Sequence, residues 1–443
     1  MADSRDKPAG MGWHQIERAE LAKVLREHAR FLERKPNGQR AMLAFHDLSN
    51  CDLSGEDLSE ADLTGARLRR ARLSWATLRA TNLFGADLRM ADLQHANLAR
   101  VDLRGSSLRR ANISDCAMID ADLREAQLAR YDTSGDLQEM TFETLPSELS
   151  SIIAHRANLA HAQLSRALSV RTDFTDAILD NTNLRKADLR NCILVGASLE
   201  STDLSEANLS GCTMTGAVMT GTKINGACFQ DADIRGAIFD ETVSQASELF
   251  DAKRAVGCDV SDQIQDILRE HASWVQSNSH SGTRANLSDA LLNGLRRPGA
   301  VLIAAIMERI VLGGADLREA ELTMAALAFA DLREVNLTNA DLRGIDLSRA
   351  VLNGGRMRGA HLGPIENVAG SGRTWVSNLE RTKLRGVDLA GAKMYRVCAA
   401  GADFREANLR GADLRNADLS GADLHEAILD EAQMDGATWD TAM

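Results

Sequence analysis

Residues 411–427 read GADLRNADLSGADLHEA, and in this stretch an alanine and a leucine each return at every fifth position. This period matches neither an α-helix, whose faces repeat every 3.6 residues, nor a β-strand, whose faces repeat every 2. Taking the leucine as the central residue of each unit, the period continues through four long runs. They extend from Leu43 to Leu128, from Leu159 to Phe239, from Leu287 to Leu362 and from Leu379 to Trp439. One five-residue repeat therefore builds most of the chain.

Glycines mark the end of many units. Gly401, Gly411 and Gly421 lie two residues after a central residue, and Asn416 takes the same position in another unit. A type II turn requires a positive φ at its third residue, which glycine adopts without steric cost. Each unit is therefore interpreted as a short strand, with two inward residues separated by an outward one, followed by a corner. Aromatic residues make up only 4% of the chain, so alanine and leucine are expected to line the interior.

The A(D/N)LXX pattern resembles the pentapeptide repeat family. This resemblance implies an all-β solenoid, a right-handed quadrilateral β-helix in which four units make one coil. It also implies that the alanine and the central residue point inward while the other three positions face water. Coils stacked at about 4.8 Å would bury the leucine columns and pair backbone groups between neighbours.

Two segments that precede repeat runs match each other. LREHARFLERKPNGQRAML at 25–43 aligns with LREHASWVQSNSHSGTRANL at 268–287, and both place apolar residues at helical spacing. We therefore predict an internal duplication into two lobes, each preceded by a capping α-helix, with His28 and His271 filling equivalent interfaces. The predicted domains are a capping helix at 1–40, lobe 1 at 41–245 with an insertion at 131–156, a second capping helix at 246–284, and lobe 2 at 285–443 with an insertion loop at 363–378.

Motifs that support catalysis or cofactor binding are missing from the sequence. It contains no GxSxG, HExxH or phosphate-binding loop, and the aspartates before many central leucines are interpreted as a solvated face. The seven cysteines include no CxxC pair, so we expect reduced thiols in a cytoplasmic protein without a metal or cofactor. No transmembrane segment is expected, because the apolar stretch at 300–312 is short and contains Glu308 and Arg309.

A ridge of arginines is the first candidate for partner binding. With 20 residues per coil, one column would hold Arg69, Arg89 and Arg109, and the adjacent column Arg70, Arg110 and Arg130 with Met90 between them. Like charges stacked about 4.8 Å apart repel one another. A ridge that tolerates this repulsion indicates an anionic partner, unless neighbouring aspartate columns neutralise it.

The insertion GPIENVAGSGRTWVSN at 363–378 is the second candidate. Arg373 and Trp375 belong to the residue types enriched at contact hot spots, and loops on rigid scaffolds often carry recognition. The alternative is that Trp375 packs back over a coil face. At the edge of the last run, Trp439 is a candidate for end-to-end self-association into a homodimer.

Three functions are compatible with these features. The leading hypothesis is a non-catalytic scaffold for an unidentified protein partner. The family resemblance suggests a second, because some pentapeptide repeat proteins imitate duplex DNA, bind type II topoisomerases such as gyrase, and protect them from quinolones. The net charge of −12 agrees with mimicry, but its low density and the arginine columns do not. The third is peripheral binding to anionic surfaces through the arginine ridge, and nucleic acid is not expected as a partner.

Overall fold

The computed structural model of the 443-residue chain divides into two compact units, Met1–Lys253 (unit 1) and Arg254–Met443 (unit 2). The structure describes residues 13–124, 129–131, 137–139, 149–165, 167, 169–240, 243, 246–249, 251–252, 263–366 and 374–439.

Helices and regular strands are short in the described part of each unit. Helix α1 (Arg18–Leu32) precedes the coils of unit 1, helix α2 (Ile264–Gln276) precedes those of unit 2, and a 3-10 helix spans Ser247–Leu249. Within the described residues the regular strands form four pairs, of which the second is antiparallel and the others are parallel. They are β1 (His14–Gln15) with β2 (His46–Asp47), β3 (Ala129–Tyr131) with β4 (Leu137–Glu139), β5 (Val218–Met219) with β6 (Ile238–Phe239), and β7 (Asp418–Leu419) with β8 (Thr438–Trp439).

Most of the chain is a ladder of single parallel bridges between residues 20 apart. Met42 pairs with Asp62, and Asp62 pairs in turn with Asn82. In unit 2, Asp388 pairs with Asn408 in the same way. Because four five-residue units separate paired residues, each coil contains four units. The predicted β-helix is confirmed.

The pentapeptide ADLTG at 61–65 shows how one unit satisfies its five backbone N–H groups. Three bonds join neighbouring coils and one closes the corner: Asp62 N to Ala41 O (2.9 Å), Leu63 N to Asn82 O (2.8 Å), Gly65 N to Phe84 O (2.8 Å) and Ala61 N to Leu58 O (3.0 Å). The fifth group, the amide of Thr64, donates to the Asp62 carboxylate at 3.0 Å. The Asp or Asn before the central leucine therefore completes the backbone hydrogen bonding of the unit. The interpretation of these aspartates as a solvated face missed this structural role.

The corner residue, two places after the central one, has a positive φ in nearly every unit. Gly65 has a φ of 61°, and Arg70 and Trp75 have values of 56° and 63° although such side chains disfavour this region. The amide of Arg70 donates to the carbonyl of Arg89 in the next coil at 3.0 Å. The hydrogen bond between coils therefore fixes the corner, whatever the residue type.

The alanine and leucine columns form a separate core in each unit. Leu204 and Leu414, for example, are fully buried. Several polar residues at the alanine position donate a hydrogen bond to the preceding coil. The hydroxyl of Thr202 donates to the carbonyl of Leu179 at 2.6 Å, and the thiol of Cys212 donates to the carbonyl of Leu189 at 2.9 Å.

His28 of α1 and His271 of α2 make equivalent contacts with the first coil of their units. Both are fully buried, and Nδ1 of each accepts a hydrogen bond from a backbone amide, from Ala41 at 3.1 Å and from Ala285 at 3.0 Å. Burial lowers the pKa of both imidazoles below the usual 6.5. The neutral tautomer that carries its proton on Nε2 is therefore the one that fits both sites.

Two predicted boundaries are corrected by the packing. Asn112 pairs with Ile153, and Leu149 is buried in the core of unit 1, so the coil resumes near residue 149 and the predicted insertion at 131–156 is too long. Leu249 is also buried in the core of unit 1, and Glu248 accepts the amide of Gly226 at 3.0 Å. Residues 246–249 therefore cover the last coil of unit 1 and do not begin the second capping segment.

Candidate functional site

One corner of unit 1 gathers arginines from three consecutive coils. The amide of Arg70 donates to the carbonyl of Arg89, and that of Met90 donates to the carbonyl of Arg109, both at 3.0 Å. Each of these coils therefore contributes its two corner residues to the same edge. This arginine corner consists of Arg69, Arg70, Arg89, Arg109 and Arg110.

Arg130 does not belong to the arginine corner, contrary to the prediction. The amide of Arg110 donates to the carbonyl of Ser150 at 3.1 Å, so Ser150 and Ser151 form the corner of the next coil. Arg130 lies in β3, within the antiparallel pair outside the coil. Counting forward by 20 fails here because the insertion intervenes.

Aspartate neutralises part of the arginine corner. Asp87, only 3% exposed, accepts two hydrogen bonds from Arg89, at 2.8 and 2.7 Å, and its Oδ2 lies 4.0 Å from Nε of Arg69. Arg70 and Arg110 are exposed, and no carboxylate in the described part of the chain lies within 4 Å of either guanidinium. These two arginines are the available cations of the corner.

The same aspartate–arginine pairing recurs along both units. Wherever a unit reads Asp-Leu-Arg, Asp-Ile-Arg or Asp-Phe-Arg, the guanidinium reaches back two residues and binds the carboxylate with two N–H groups. Examples are Asp102–Arg104, Asp188–Arg190, Asp233–Arg235, Asp331–Arg333, Asp341–Arg343 and Asp403–Arg405. Many outward aspartates are therefore already neutralised by the chain itself.

The second insertion leaves the coil of unit 2 through a small antiparallel bridge. Ile365 and Trp375 exchange two backbone hydrogen bonds, at 2.8 and 2.9 Å. The Trp375 ring lies over the corner at Gly344, where an added Cβ would come within 3.0 Å of ring Cδ1. Nevertheless, Trp375 is 54% exposed and Val376 is 41% exposed. Trp375 therefore packs on a coil face and also presents apolar surface, while Arg373 lies outside the described residues.

Both ends of this hairpin base are fixed to the coil. The buried hydroxyl of Ser377 accepts the amide of Gly344 at 2.8 Å, and Asn378 resumes the ladder by pairing with Asp346. Glu366 forms an ion pair with Arg396 at 3.1 Å. The exposed tryptophan is therefore held in one position before any partner binds.

A cavity of about 460 Å³ lies on the adjoining face of unit 2. Its lining includes His361, Lys393, Tyr395, Asp413 and Arg415. His361 pairs with Lys393, and Lys393 with Asp413, so three successive coils place these side chains in one column. This cavity was not identified from the sequence. His361 and Lys393 were missed because the insertion separates them in the chain.

The cavity contains one arginine–aspartate pair, Arg415 with Asp413, and the imidazole of His361. Arg415 donates two hydrogen bonds to Asp413, both at 2.8 Å, and these lower the pKa of the Asp413 carboxyl. Burial lowers the pKa of His361, the charges of Arg343 and Lys393 lower it further, and the charge of Asp341 raises it. Burial therefore favours the neutral imidazole, and Lys393 is a cavity cation with no carboxylate within 4 Å in the described part of the chain.

Trp439 lies in β8, which pairs with β7 on one side. Its side chain is 40% exposed, whereas Leu419 of β7 is fully buried. Self-association through this edge remains a prediction.

Metal and membrane features were also sought. Within the described ranges, no group of three or more His, Cys, Asp and Glu side chains is placed to hold a metal ion. No helix there has the length and apolar character needed to cross a membrane.

Comparison with protein families finds matches to the model of pentapeptide repeats. The matched residues are 47–85, 57–93, 86–124, 155–191, 170–205, 202–240, 330–363, 377–411 and 402–438. A comparison with curated protein sequences finds no significant match.

Among solved structures, several pentapeptide repeat proteins are similar. QnrB1, a plasmid-mediated fluoroquinolone resistance protein, is 16% identical over 46% of this chain and 94% of its own, with a TM-score of 0.27. HetL, from the cyanobacterium Nostoc sp. strain PCC 7120, is 22% identical over 97% and 99%, with a TM-score of 0.12. Rfr23, from the cyanobacterium Cyanothece 51142, is 21% identical over 34% and 88%, with a TM-score of 0.18.

The family model covers more than half of the chain, on both sides of the division between the units. The matched residues lie within the ladder of four-unit coils, which also includes residues 286–329. The chain belongs to the pentapeptide repeat family, whose members form right-handed β-helices.

Proposed function

We propose that this protein is a non-catalytic interaction scaffold, built as two β-helical lobes that each follow a capping helix. Its partner is a protein, and the contact is made by the face of unit 2 that bears the 363–378 insertion. The long coil faces are repetitive, and the insertion is where unit 2 departs from that regularity. Recognition concentrates on such loops when a rigid framework positions them.

The observation that carries this proposal is the fixed and exposed Trp375. Its backbone is bonded to Ile365 at 2.8 and 2.9 Å, and its ring rests on Gly344, yet more than half of its surface is exposed. An aromatic side chain that is already ordered loses little conformational entropy on binding. Tryptophan is also the residue type most enriched among binding hot spots.

Site-specific photocrosslinking tests this assignment. A benzoylphenylalanine placed at Val376, which is 41% exposed, should give a discrete adduct in lysate of the source cells. The matched control is the same probe at Ile193 in unit 1, which is 40% exposed. Trp375→Ala should abolish the Val376 adduct, whereas Trp75→Ala, at another exposed tryptophan, should leave it. Equal adducts at both probe positions would contradict the proposal.

A second candidate function is binding to anionic surfaces through the arginine corner, and Arg70 and Arg110 favour it. Both are exposed and have no carboxylate within 4 Å in the described part of the chain. Arg70→Glu/Arg110→Glu should abolish sedimentation with phosphatidylserine vesicles at low salt. The control, Arg356→Glu/Arg358→Glu, makes the same charge change in unit 2. Equal loss in both variants would attribute binding to net charge and not to the corner.

DNA mimicry receives less support from the described surface. A phosphate mimic requires rows of unneutralised acids, whereas many outward aspartates here accept two hydrogen bonds from an arginine of the same unit. Gyrase supercoiling decides the question. We expect neither inhibition nor quinolone protection at micromolar protein.

A further inference from the structure

We propose that the cavity formed by His361, Lys393, Tyr395 and Arg415 binds acidic side chains of a peptide segment in the partner protein. This inference rests on the proposed function, because it names the partner chemistry that the same face of unit 2 would recognise. The carboxylate of a glutamate or aspartate would lie between Lys393 and Arg415.

The cavity is shaped in part by glycines. Gly391 and Gly411 line one corner of the cavity. A Cβ added to either glycine would have no atom within 4 Å. The Tyr395 ring packs against Gly363, where an added Cβ would lie 2.6 Å from the ring. The resulting volume of about 460 Å³ is large enough for one or two side chains of a bound segment.

Two cations at the cavity have unused hydrogen-bond donors. Lys393 is exposed, and within the described ranges no carboxylate lies within 4 Å of its ammonium group. Arg415 uses Nε and Nη2 for Asp413, at 2.8 Å each, which leaves the N–H groups of Nη1 for a ligand. Asp413 therefore fixes the orientation of the guanidinium in advance. Hydrogen bonds between such cations and a carboxylate are among the strong ones in proteins.

The remaining wall is polar and ordered. The Tyr395 ring lies 6.1 Å from the ring of His361, and the Tyr395 hydroxyl faces the charges of both Arg343 and Arg415. Nε2 of His361 is buried and has no hydrogen-bond partner among the described residues. Arg343 and Lys393 disfavour a proton on this imidazole, whereas Asp341 favours one. Arg343 is itself paired with Asp341, so Lys393 is the cation beside His361 that has no carboxylate within 4 Å in the described ranges.

The position of the cavity favours a peptide as the source of the carboxylate. The cavity adjoins the base of the 363–378 insertion. Glu366 of that base forms an ion pair with Arg396, and Arg396 directly follows the cavity residue Tyr395. Trp375 and Val376 expose apolar surface on the same insertion. An acidic residue in the cavity and an apolar residue on Trp375 would give a polar contact beside a hydrophobic anchor.

Fluorescence anisotropy with two labelled peptides tests the assignment on the full chain. One peptide carries glutamates in a Gly-Ser background with a single leucine, and the other carries glutamines at the same positions. We expect the glutamine peptide to bind at least tenfold more weakly. Lys393→Ala should weaken binding of the glutamate peptide about tenfold, and Lys393→Arg should restore it to within about threefold. The matched control is Lys223→Ala, an exposed lysine at the same position of a unit in unit 1.

Each outcome has a distinct meaning. Equal binding of the two peptides, or equal losses in Lys393→Ala and Lys223→Ala, would overturn the acidic-peptide site. Because Lys393 is exposed and forms no ion pair in the described structure, unchanged thermal unfolding of its variants would exclude misfolding as the cause. If the Val376 photoadduct persists in Lys393→Ala while the glutamate peptide fails to bind, the scaffold proposal stands and this inference falls. If the peptide binds but no protein adduct forms, the proposed function is the one that fails.

Discussion

Asp203 allows a direct test of the role assigned to the aspartate before each central leucine. Its Oδ1 accepts the backbone amide of Ser205 at 3.0 Å, the one amide of the unit that the coil ladder does not satisfy. Asp203→Ala removes that acceptor, whereas Asp203→Asn keeps a side-chain oxygen in the same place. By analogy with helix N-caps, we expect the alanine variant to lose about 1 kcal/mol and the asparagine variant less than about 0.5 kcal/mol.

This loss is measurable by thermal unfolding. For a unit of this size, about 1 kcal/mol corresponds to a decrease in Tm of about 2–4 °C. Hydrogen exchange at the Ser205 amide should accelerate in Asp203→Ala and not in Asp203→Asn. Ile193→Ala is the control, because Ile193 is exposed, occupies the same position of another unit in unit 1 and cannot accept such a bond.

Charge provides the competing explanation for Asp203. Burial would raise the pKa of its carboxyl, but hydrogen bonds from Ser205 and the charges of Arg185 and Lys223 lower it. The corresponding stability is present above the usual value of about 3.8 and is lost as pH falls below it. If asparagine destabilises unit 1 as much as alanine does, the ionic charge and not the amide acceptor is what matters. An alanine variant as stable as the wild type would refute the role altogether.

Further predictions concern the core, the cap and the edge. Thr202→Val should lower stability by about 1 kcal/mol, because the hydroxyl that donates to Leu179 is lost, and denaturant unfolding measures this. His271→Ala should cost about 3 kcal/mol in unit 2, because it leaves a cavity and an unpaired Ala285 amide. The contribution of His271 to the free energy of unfolding should be complete above pH 6.5 and should decline as pH falls toward its lowered pKa, because the unfolded state then binds more protons. The alanine variant should lack this part of the pH profile. Light scattering should show a dimer that Trp439→Ala converts to a monomer, and a monomeric wild type would contradict end-to-end association.

The period of five was sufficient to predict the coil, because inward and outward positions repeat without exception over long runs. Glycine at the corners predicted the positive φ there, but the sequence could not show that Arg70 and Trp75 adopt it too. Hydrogen bonds to the next coil impose that conformation, and the local conformational preferences of these residues do not predict it. The role of the aspartates was missed for a related reason. The role of the aspartates becomes clear only when the backbone hydrogen bonds between coils show which amide lacks a backbone partner.

The surface features were harder to predict, because insertions break the count of 20 residues per coil. Arg130 was assigned to the arginine column, but the insertion begins before residue 130 and places Arg130 in β3. His361 and Lys393 were not associated, although they are ladder partners, because the second insertion lies between them. Leu149 was assigned to an insertion, because its unit lacks the Ala-Asp-Leu signature while still burying its central leucine. Periodicity therefore predicts the columns within a run but not across an interruption.

The central claim is that residues 20 apart are neighbours on one face of a four-unit coil. Asn208 and Cys228 are such partners, and the Cys228 thiol already lies 3.2 Å from the hydroxyl of Ser210. Ladder partners about 5 Å apart at Cα are within the range that a disulfide can bridge. After mild oxidation of Asn208→Cys, mass spectrometry should detect the 208–228 disulfide in high yield. Val218→Cys, closer to Cys228 in sequence but on the opposite face, should give none. A 218–228 disulfide, or the absence of the 208–228 bond, would contradict the coil itself.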